Sequence, residues 1–424
     1  MIRKDAVIIG AGPAGLGAAI ALKENGISNV LVVEREDYPG GLLHQCIHIG
    51  FGLHHFREEL TGPEYAERVL KVAGELGVEI KTGAVVLDIS TDEIEKADHT
   101  AEKVLRVLSE KEGLLEVRTK AVVLAMGCRE KNRGNINIPG SRPAGIMTAG
   151  LAQRLVNLEG YLPGKEVVIL GSGDIGLIMA RRMTWEGARV KGVVEIQPYP
   201  GGLNRNIVQC LMDFQIPLYL SHTITEIRGG KRIEAVEVSP IDTHHEPSNQ
   251  GRFVLTCDTL LLSVGLIPEN ELSRKAGVVL DPVTQGPVVD SNLMTSVPGI
   301  FACGNVLHVH DIVDYVSEEA EFCGLRVALY LKGGLEKGQE IPVRVGNLVR
   351  YVLPAKVERG GAVRLALRPI VPAENAVLTV RDGKQLLYSR KYRKVFPSNM
   401  LRVPLKNIPA SAESIEVSFQ LNAE

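Results

Sequence analysis

The chain has 424 residues, which at about 150 residues per domain makes two or three domains, and its 48 Lys and Arg against 50 Asp and Glu leave a net charge of −2. That balance excludes nucleic-acid binding driven by overall charge, and 4% aromatic residues exclude an aromatic stacking platform. Six cysteines (Cys46, Cys128, Cys210, Cys257, Cys303, Cys323) without a CxxC pair give no support to a disulfide framework, a structural zinc or an Fe–S ligand set. The 44 glycines point instead to turns and phosphate loops.

From the N-terminus, the β-branched run 7–9 predicts a strand, Gly10-Ala11-Gly12-Pro13-Ala14-Gly15 a glycine turn, 16–23 a helix, and 30–33 a second strand ending at Glu34. Strand, G-x-G-x-x-G, helix, strand and acid follow the order of a dinucleotide-binding unit. That order explains the apolar run 6–22 better than a secretory leader does. No other stretch is long and apolar enough to span a bilayer, so the expectation is a cytoplasmic protein with no direct membrane span.

Further on, 85–89 and 114–117 read as strands flanking a polar insertion, 91–103, with a helix running from the insertion to 109 as the alternative. Residues 120–126 read as a buried strand closing at Gly127. The first pattern then returns: an apolar strand at 167–170, Gly171-Ser172-Gly173-Asp174-Ile175-Gly176, a helix through 183, and a strand at 190–194 ending in Glu195. Gly171 follows Gly10, and Glu195 follows Glu34, by the same 161 residues, as Tyr199-Pro200-Gly201-Gly202-Leu203 follows Tyr38-Pro39-Gly40-Gly41-Leu42. One register across several elements means two copies of one unit. The strand 259–264, closing at Gly265, is the counterpart of 120–126.

Residues 297–305 predict a strand and turn, followed by a helix from about 317 to 331. From 341 the pattern changes to β-type segments at 343–352, 363–367, 376–380, 386–392, 401–405 and 415–419, the spacing of a small β-sandwich. This region holds 14 Lys and Arg against 6 Asp and Glu, while the rest holds 34 against 44.

In each unit the first glycine (Gly10, Gly171) permits the tight turn, the second (Gly12, Gly173) lets backbone approach a pyrophosphate, and the third (Gly15, Gly176) allows close helix packing. The helix N-terminus then faces the phosphates, and Glu34 and Glu195 can accept from ribose hydroxyls. Two dinucleotides on one chain imply electron transfer between them, and the usual pair is flavin and nicotinamide.

Gly10 to Gly15 with Glu34-Arg35, the Gly40-Gly41 pair, Ala125-Met126-Gly127, the second glycine turn with Glu195, and Ile300-Phe301-Ala302-Cys303-Gly304-Asn305 together resemble the two-dinucleotide flavoproteins, the superfamily of glutathione and thioredoxin reductases. The resemblance covers roughly residues 1 to 335. It implies an α/β fold of two Rossmann-like domains, for FAD and NAD(P), the second inserted in the first, plus the small C-terminal β-sandwich-like domain. The expected bounds are 1–150 and 268–338 for the FAD domain, 151–267 for the NAD(P) domain and 339–424 for the β domain. By the resemblance FAD is held by Gly10, Gly12, Gly15, Glu34, Arg35, Gly41, Leu42, Val86, Gly127, Gly304 and Asn305, and the nicotinamide nucleotide by Gly171, Gly173, Gly176, Glu195 and Gly265. NAD(H) is expected ahead of NADP(H), because Glu195 would repel a 2′-phosphate and Ile196-Gln197-Pro198 offers no arginine to bind one.

The redox cysteine pair of the disulfide reductases is missing at either expected position, which excludes disulfide reduction through such a pair. Asn305 stands where the family usually has Asp. A closer resemblance lies in 40–48 with Gly50-Phe51-Gly52-Leu53, in Ala144-Gly145-Ile146-Met147-Thr148-Ala149-Gly150 with Gln153-Arg154, and in 308–315. These look like the subunit encoded beside anaerobic-type glycerol-3-phosphate dehydrogenase and a small cysteine-containing protein. The same branch is similar to nucleotide-binding subunits of amine, proline and opine dehydrogenases and of hydrogen cyanide synthase. The implied partners are therefore redox subunits. A second reading makes the chain a nucleotide-binding subunit whose second site holds an adenine nucleotide structurally.

Among single residues, Cys46 follows the Gly40-Gly41 turn, and by the resemblance lies beside the flavin ring, so it is a catalytic candidate if it ionises. His44, His48, His54 and His55 match no metal-site spacing, and no metal is expected. Asp311 or Asp314 could cap the helix that follows, and His308 or His310 could tune proton traffic. The basic run Arg390-Lys391-Tyr392-Arg393-Lys394 and the charge of the C-terminal region suggest a dock for an acidic partner. On that view, removing 341–424 leaves FAD content intact while partner binding weakens.

Overall fold

The computed structural model describes residues 2–91, 102–242, 244, 246–335 and 338–421. The chain divides into two compact units, one made of 1–128 and 268–424, the other of 129–267.

In the first unit, Val30–Val33 and Ile2–Ile9 pair in parallel, as does Ile2–Ile9 with the second half of Gly113–Leu124. Runs of Val, Ile and Leu that are buried on both faces need helices on each side, which is why these strands read as unbroken apolar stretches. Ile300–Ala302 adds in parallel to the same end of Gly113–Leu124, and Glu79–Lys81 adds beyond Val30–Val33. The other end of Gly113–Leu124 pairs antiparallel with Lys103–Ser109, which pairs with Ala84–Thr91. The helix read as an alternative up to 109 is thus a strand: its burial alternates residue by residue, the mark of a sheet with one face covered. Residues 92–101 of the predicted insertion lie outside the described residues. The segments 114–117 and 120–126 merge into one 12-residue strand.

Helix Pro13–Glu24 packs against Val313–Leu331 through small residues. A Cβ at Gly17 would sit 3.2 Å from that of Ala320, and one at Gly324 would overlap the Ala18 carbonyl oxygen. The later helix starts at Val313, earlier than the expected 317, and its N-cap is Ile312, with no side-chain cap.

The second unit carries a parallel sheet in the order Ile146–Thr148, Thr259–Leu262, Glu166–Leu170, Arg189–Glu195, Leu218–Leu220. His222–Gly229, Ile233–Pro240 and Phe253–Thr256 form an antiparallel sheet beside it in sequence. The boundary expected at residue 150 falls inside this unit, because Ile146–Thr148 is a strand of its sheet, paired with Thr259–Leu262.

The C-terminal region forms two sheets. One runs Lys356–Glu358, Glu340–Val345, Ile415–Leu421, Ala373–Asp382, Gln385–Val395; the other runs Val349–Leu353, Val363–Pro369, Leu401–Leu405. Leu365, Leu378, Val380, Val403, Ile415 and Phe419 share one core. The expected strand 343–352 is two strands in different sheets, separated at 346–348, where Leu348 has φ +58°.

This region is fastened to the FAD-type sheet within the first unit. Tyr351 and Leu353 belong to the core of that sheet. Ala355 N–H donates to the Val289 carbonyl at 3.1 Å. The half-buried Arg368 guanidinium bonds Asp311 and donates to the Val309 carbonyl at 3.0 Å, while the other Asp311 oxygen accepts from Met400 N–H at 2.6 Å. Arg364 and Arg402 both reach Glu318. These contacts put side chains of the C-terminal region into the core and charge network of the preceding domain, and they argue against the expectation that removing 341–424 leaves FAD content intact.

Candidate functional site

Both glycine turns are built alike, down to single hydrogen bonds. Gly10 N–H donates to the Val33 carbonyl at 2.8 Å and Gly171 N–H to the Val194 carbonyl at 2.7 Å. Glu34 accepts from Ala11 N–H at 2.7 Å and Glu36 N–H at 2.9 Å. Glu195 accepts from Ser172 N–H at 2.8 Å and Gln197 N–H at 2.9 Å. Each pair of positions is related by the 161-residue offset read from the sequence. In the second unit the Ser172 hydroxyl adds a 2.5 Å bond to Glu195 and accepts from Gly201 N–H at 2.8 Å. Both acids are buried, at 6% and 7% exposure, at the end of their strands.

The glycines are required by space. Gly10 has φ +104°, and a Cβ there would lie 2.5 Å from the Ala125 carbonyl oxygen. A Cβ on Gly15 would overlap the Gly10 carbonyl oxygen. Gly41 comes up against Gly12, whose Cα would be 3.0 Å from a Gly41 Cβ. Gly10, Gly12, Gly15, Gly41 and Glu34 therefore sit together at one turn, and Gly304 joins them, since its Cβ would lie 2.6 Å from that of Ala14. Backbone laid bare in this way at a helix start fits a pyrophosphate, which needs N–H groups and no side chain in its way. In the second unit Gly171, Gly173 and Gly176 gather around Ser263 in the same manner. Gly127 and Gly265 have positive φ at +70° and +104°. Open space surrounds a Cβ at Gly127, and the Lys131 side chain lies 3.8 Å from one at Gly265.

Other expected residues are placed differently. Arg35 is exposed, 3.8 Å from Glu36. Leu42 is 60% exposed, whereas Val86 is buried in the first core. Asn305 turns its amide oxygen inward to accept from His310 N–H at 3.0 Å, and its amide nitrogen lies 3.7 Å from Cys128 Sγ.

None of the six cysteines is in a disulfide. Burial pushes the Cys46 thiol up to about 12, so at neutral pH it stays protonated, which opposes a nucleophilic or charge-transfer thiolate. At pH 8 about one Cys46 in ten thousand would be thiolate. Iodoacetamide is therefore expected to leave the Cys46 peptide unmodified at pH 8, read by mass spectrometry, under conditions that fully alkylate a reference peptide thiol. Rapid modification would restore the reactive reading.

The four N-terminal histidines do not converge. The His44 ring is 2.7 Å from the Pro39 carbonyl, and that of His48 is 3.0 Å from the Ile49 carbonyl. His54 stacks on Tyr315, and His55 lies 3.6 Å from Glu321.

The start of the Val313–Leu331 helix holds what the sequence did not show. Neither Asp311 nor Asp314 is its cap. Asp311 serves Arg368 and Met400, and Asp314 accepts from three backbone N–H groups of the 52–55 turn. Glu319 accepts from Gly304 N–H at 2.7 Å and lies 2.9 Å from His308 Nε2 and 3.4 Å from His310 Nε2. Burial alone would raise its pKa, but His310 and His308 outweigh burial and hold it well below the usual carboxylate range. His308 is lowered by burial and by His310. These three residues are the one set among the described residues whose metal-ligating atoms lie within 4.8 Å of one another. With both Nε2 atoms donating, Glu319 is satisfied by hydrogen bonds. The H-x-H spacing was the one visible signal; Glu319 gave none.

Two glycine turns closed on buried acids are the mark of two dinucleotide-binding units. The model of the family described as "Pyridine nucleotide-disulphide oxidoreductase" matches residues 4–321, and the chain belongs to that family, whose members bind FAD and NAD(P)H. Among curated proteins it is 27% identical over 315 residues to an opine oxidase subunit of Agrobacterium tumefaciens, covering 71% of this chain and 61% of that one. It is 26% identical to the hydrogen cyanide synthase subunit HcnB of Pseudomonas protegens, covering 64% and 58%. The matches thus span about three fifths of the length of these relatives. Among solved structures, T. acidophilum thioredoxin reductase matches with TM-score 0.62 and 25% identity, over 78% of this chain and 99% of that one. No helix among the described residues is long and apolar enough to cross a membrane.

Proposed function

We propose that the chain passes hydride between NAD(H) and FAD and exchanges electrons with a partner redox subunit. The observation that carries this is the pair of glycine turns closed on Glu34 and Glu195, with no redox cysteine pair at either expected sequence position. FAD, when bound, supplies the centre that accepts hydride from a nicotinamide. Gly10 shapes the turn, Gly12 lets backbone come close to its pyrophosphate, Gly15 keeps the helix start open, Glu34 accepts from its ribose, and Gly41 and Gly304 leave room beside that turn. Gly171, Gly173, Gly176 and Glu195 do the same for the nicotinamide nucleotide. The relatives named as subunits of opine oxidase and hydrogen cyanide synthase support a partner subunit. The resemblance of 40–53 and 308–315 points to a glycerol-3-phosphate dehydrogenase with a small cysteine-containing protein as the particular system. Anaerobic titration of the FAD-loaded chain with NADH tests the reading: the flavin is expected to bleach with one equivalent. A flavin that stays oxidised while NADH still binds would favour the second reading, in which the second nucleotide is held structurally.

Preference for NADH over NADPH should follow from Glu195. Arg181 lies over the Trp185 ring and Arg182 is held by Asn157 and Glu186, and these two with Arg205 are the arginines that a 2′-phosphate would have to draw in. The ratio of kcat/KM is expected to favour NADH by at least about tenfold, or 1.4 kcal/mol, and Glu195→Gln should narrow it. Equal use of both nucleotides by the unaltered chain would remove the argument.

A further inference from the structure

We propose that Asp314 is a positioning residue that fixes the 52–55 turn, and with it the segment following Gly41, as a preformed wall of the FAD site; this rests on the reading that the first unit holds FAD. Asp314 is 3% exposed in the first turn of Val313–Leu331. Its Oδ1 accepts from His54 N–H at 2.9 Å and His55 N–H at 2.8 Å, and its Oδ2 from Gly52 N–H at 3.1 Å. Three amides converging on one carboxylate form an anion nest whose occupant is a side chain from the far end of the chain. Bonds to an ionised acceptor are about twice as strong as neutral ones, and no helix or strand holds these three N–H groups otherwise.

What the carboxylate holds is a loop of unusual content. His54 stacks on Tyr315, with ring centroids 5.6 Å apart, and Arg402 lies over Tyr315 at 4.4 Å. His55 packs edge-on against Phe56, and Phe56 against Tyr65. The Tyr65 hydroxyl in turn meets Ser317 at 2.7 Å, one helical turn beyond Asp314. The same loop continues back through Ile49–Phe51 to Cys46 and to Gly41 at the glycine turn. Rings and imidazoles on a polar loop hold one arrangement only if its backbone is pinned, and Asp314 pins it at three points. Asp314 touches no expected cofactor-binding residue, so it acts through the loop.

The test compares Asp314→Asn and Asp314→Ala in the full chain, with and without added FAD. Asn keeps one acceptor oxygen, enough for the His54 and His55 amides, and loses the Gly52 bond; Ala loses all three. Hydrogen exchange at Gly52, His54 and His55 is expected to quicken at least about tenfold in the Ala variant, while the Asn variant quickens chiefly at Gly52. In the FAD-loaded Ala variant the visible flavin band should lose fine structure toward that of free flavin, with the Asn variant in between. Unchanged exchange in the Ala variant overturns the proposal, and so does faster exchange with an unchanged flavin band. If the unaltered chain takes up no FAD, the reading of the first unit and the wall both fall, while the exchange result still decides whether Asp314 pins the loop.

Discussion

Removal of residues 341–424 is expected to leave no folded first unit. The cut withdraws Tyr351 and Leu353 from a core they share with the strands around Ile2–Ile9, worth about 1.5–3 kcal/mol for each buried side chain. It also strips Asp311 of Arg368 and Met400, and Glu318 of Arg364 and Arg402. The Glu318 pairs have side chains 23–54% exposed and add at most about 1 kcal/mol each, but with the lost core packing and the Asp311–Arg368 contact the losses are a large part of the roughly 5–15 kcal/mol that holds a typical domain together. A gentler version is Asp311→Ala, which leaves Arg368 with the Val309, Pro397 and Ser398 carbonyls and the Tyr351 hydroxyl but no carboxylate. Urea unfolding should show a loss of about 1.5–3 kcal/mol for the charged hydrogen bonds removed, and the truncated chain should aggregate or unfold without cooperativity. A monodisperse truncated protein with a sharp unfolding transition would show that the C-terminal region is an accessory after all.

Gly15→Val and Gly176→Val should separate the two nucleotide sites. At position 15 the added Cβ overlaps the Gly10 carbonyl oxygen, and at position 176 it lies 2.6 Å from the Gly171 carbonyl oxygen and 2.8 Å from the Ser263 Cβ. Overpacking of this kind costs about 1–3 kcal/mol, relieved by opening the turn that meets the pyrophosphate, so affinity should fall about 10- to 100-fold. Gly15→Val is expected to emerge from gel filtration without flavin. Gly176→Val should keep its flavin yet need far more NADH to bleach it. Loss of both ligands in both variants would mean that the two turns are not separate sites.

The sequence made the two turns legible because everything that shapes them is local: three glycines, a helix start, and an acid at the end of the next strand. A repeat at 161 residues then doubled each observation, and the hydrogen bonds of Glu34 and Glu195 keep that register. What stayed hidden is long-range. Asp314 meets residues about 260 positions away, and Asp311 meets Arg368 from 57 away, so each carboxylate beside a helix start read as a cap. The strand Lys103–Ser109 was ambiguous because short apolar runs carry no decisive period. Cys46 read as a candidate from its place after Gly40-Gly41, and the surroundings that raise its thiol pKa are invisible in one dimension.

The order in which the chain leaves the ribosome gives the arrangement of its sheets another meaning. The second unit is a continuous stretch, 129–267, and can close as soon as it emerges, since domains generally fold as units during synthesis. The first unit cannot. Its strand Gly113–Leu124 waits for Ile300–Ala302, and the small-residue face of Pro13–Glu24 waits for Val313–Leu331 to cover Gly17 and Ala18. Residues 2–24 are thus not fully covered until 300–331 has appeared, and part of the apolar surface of the first unit stays exposed meanwhile. For the first unit the hazardous interval of biosynthesis is the time needed to make the 129–267 stretch that interrupts it.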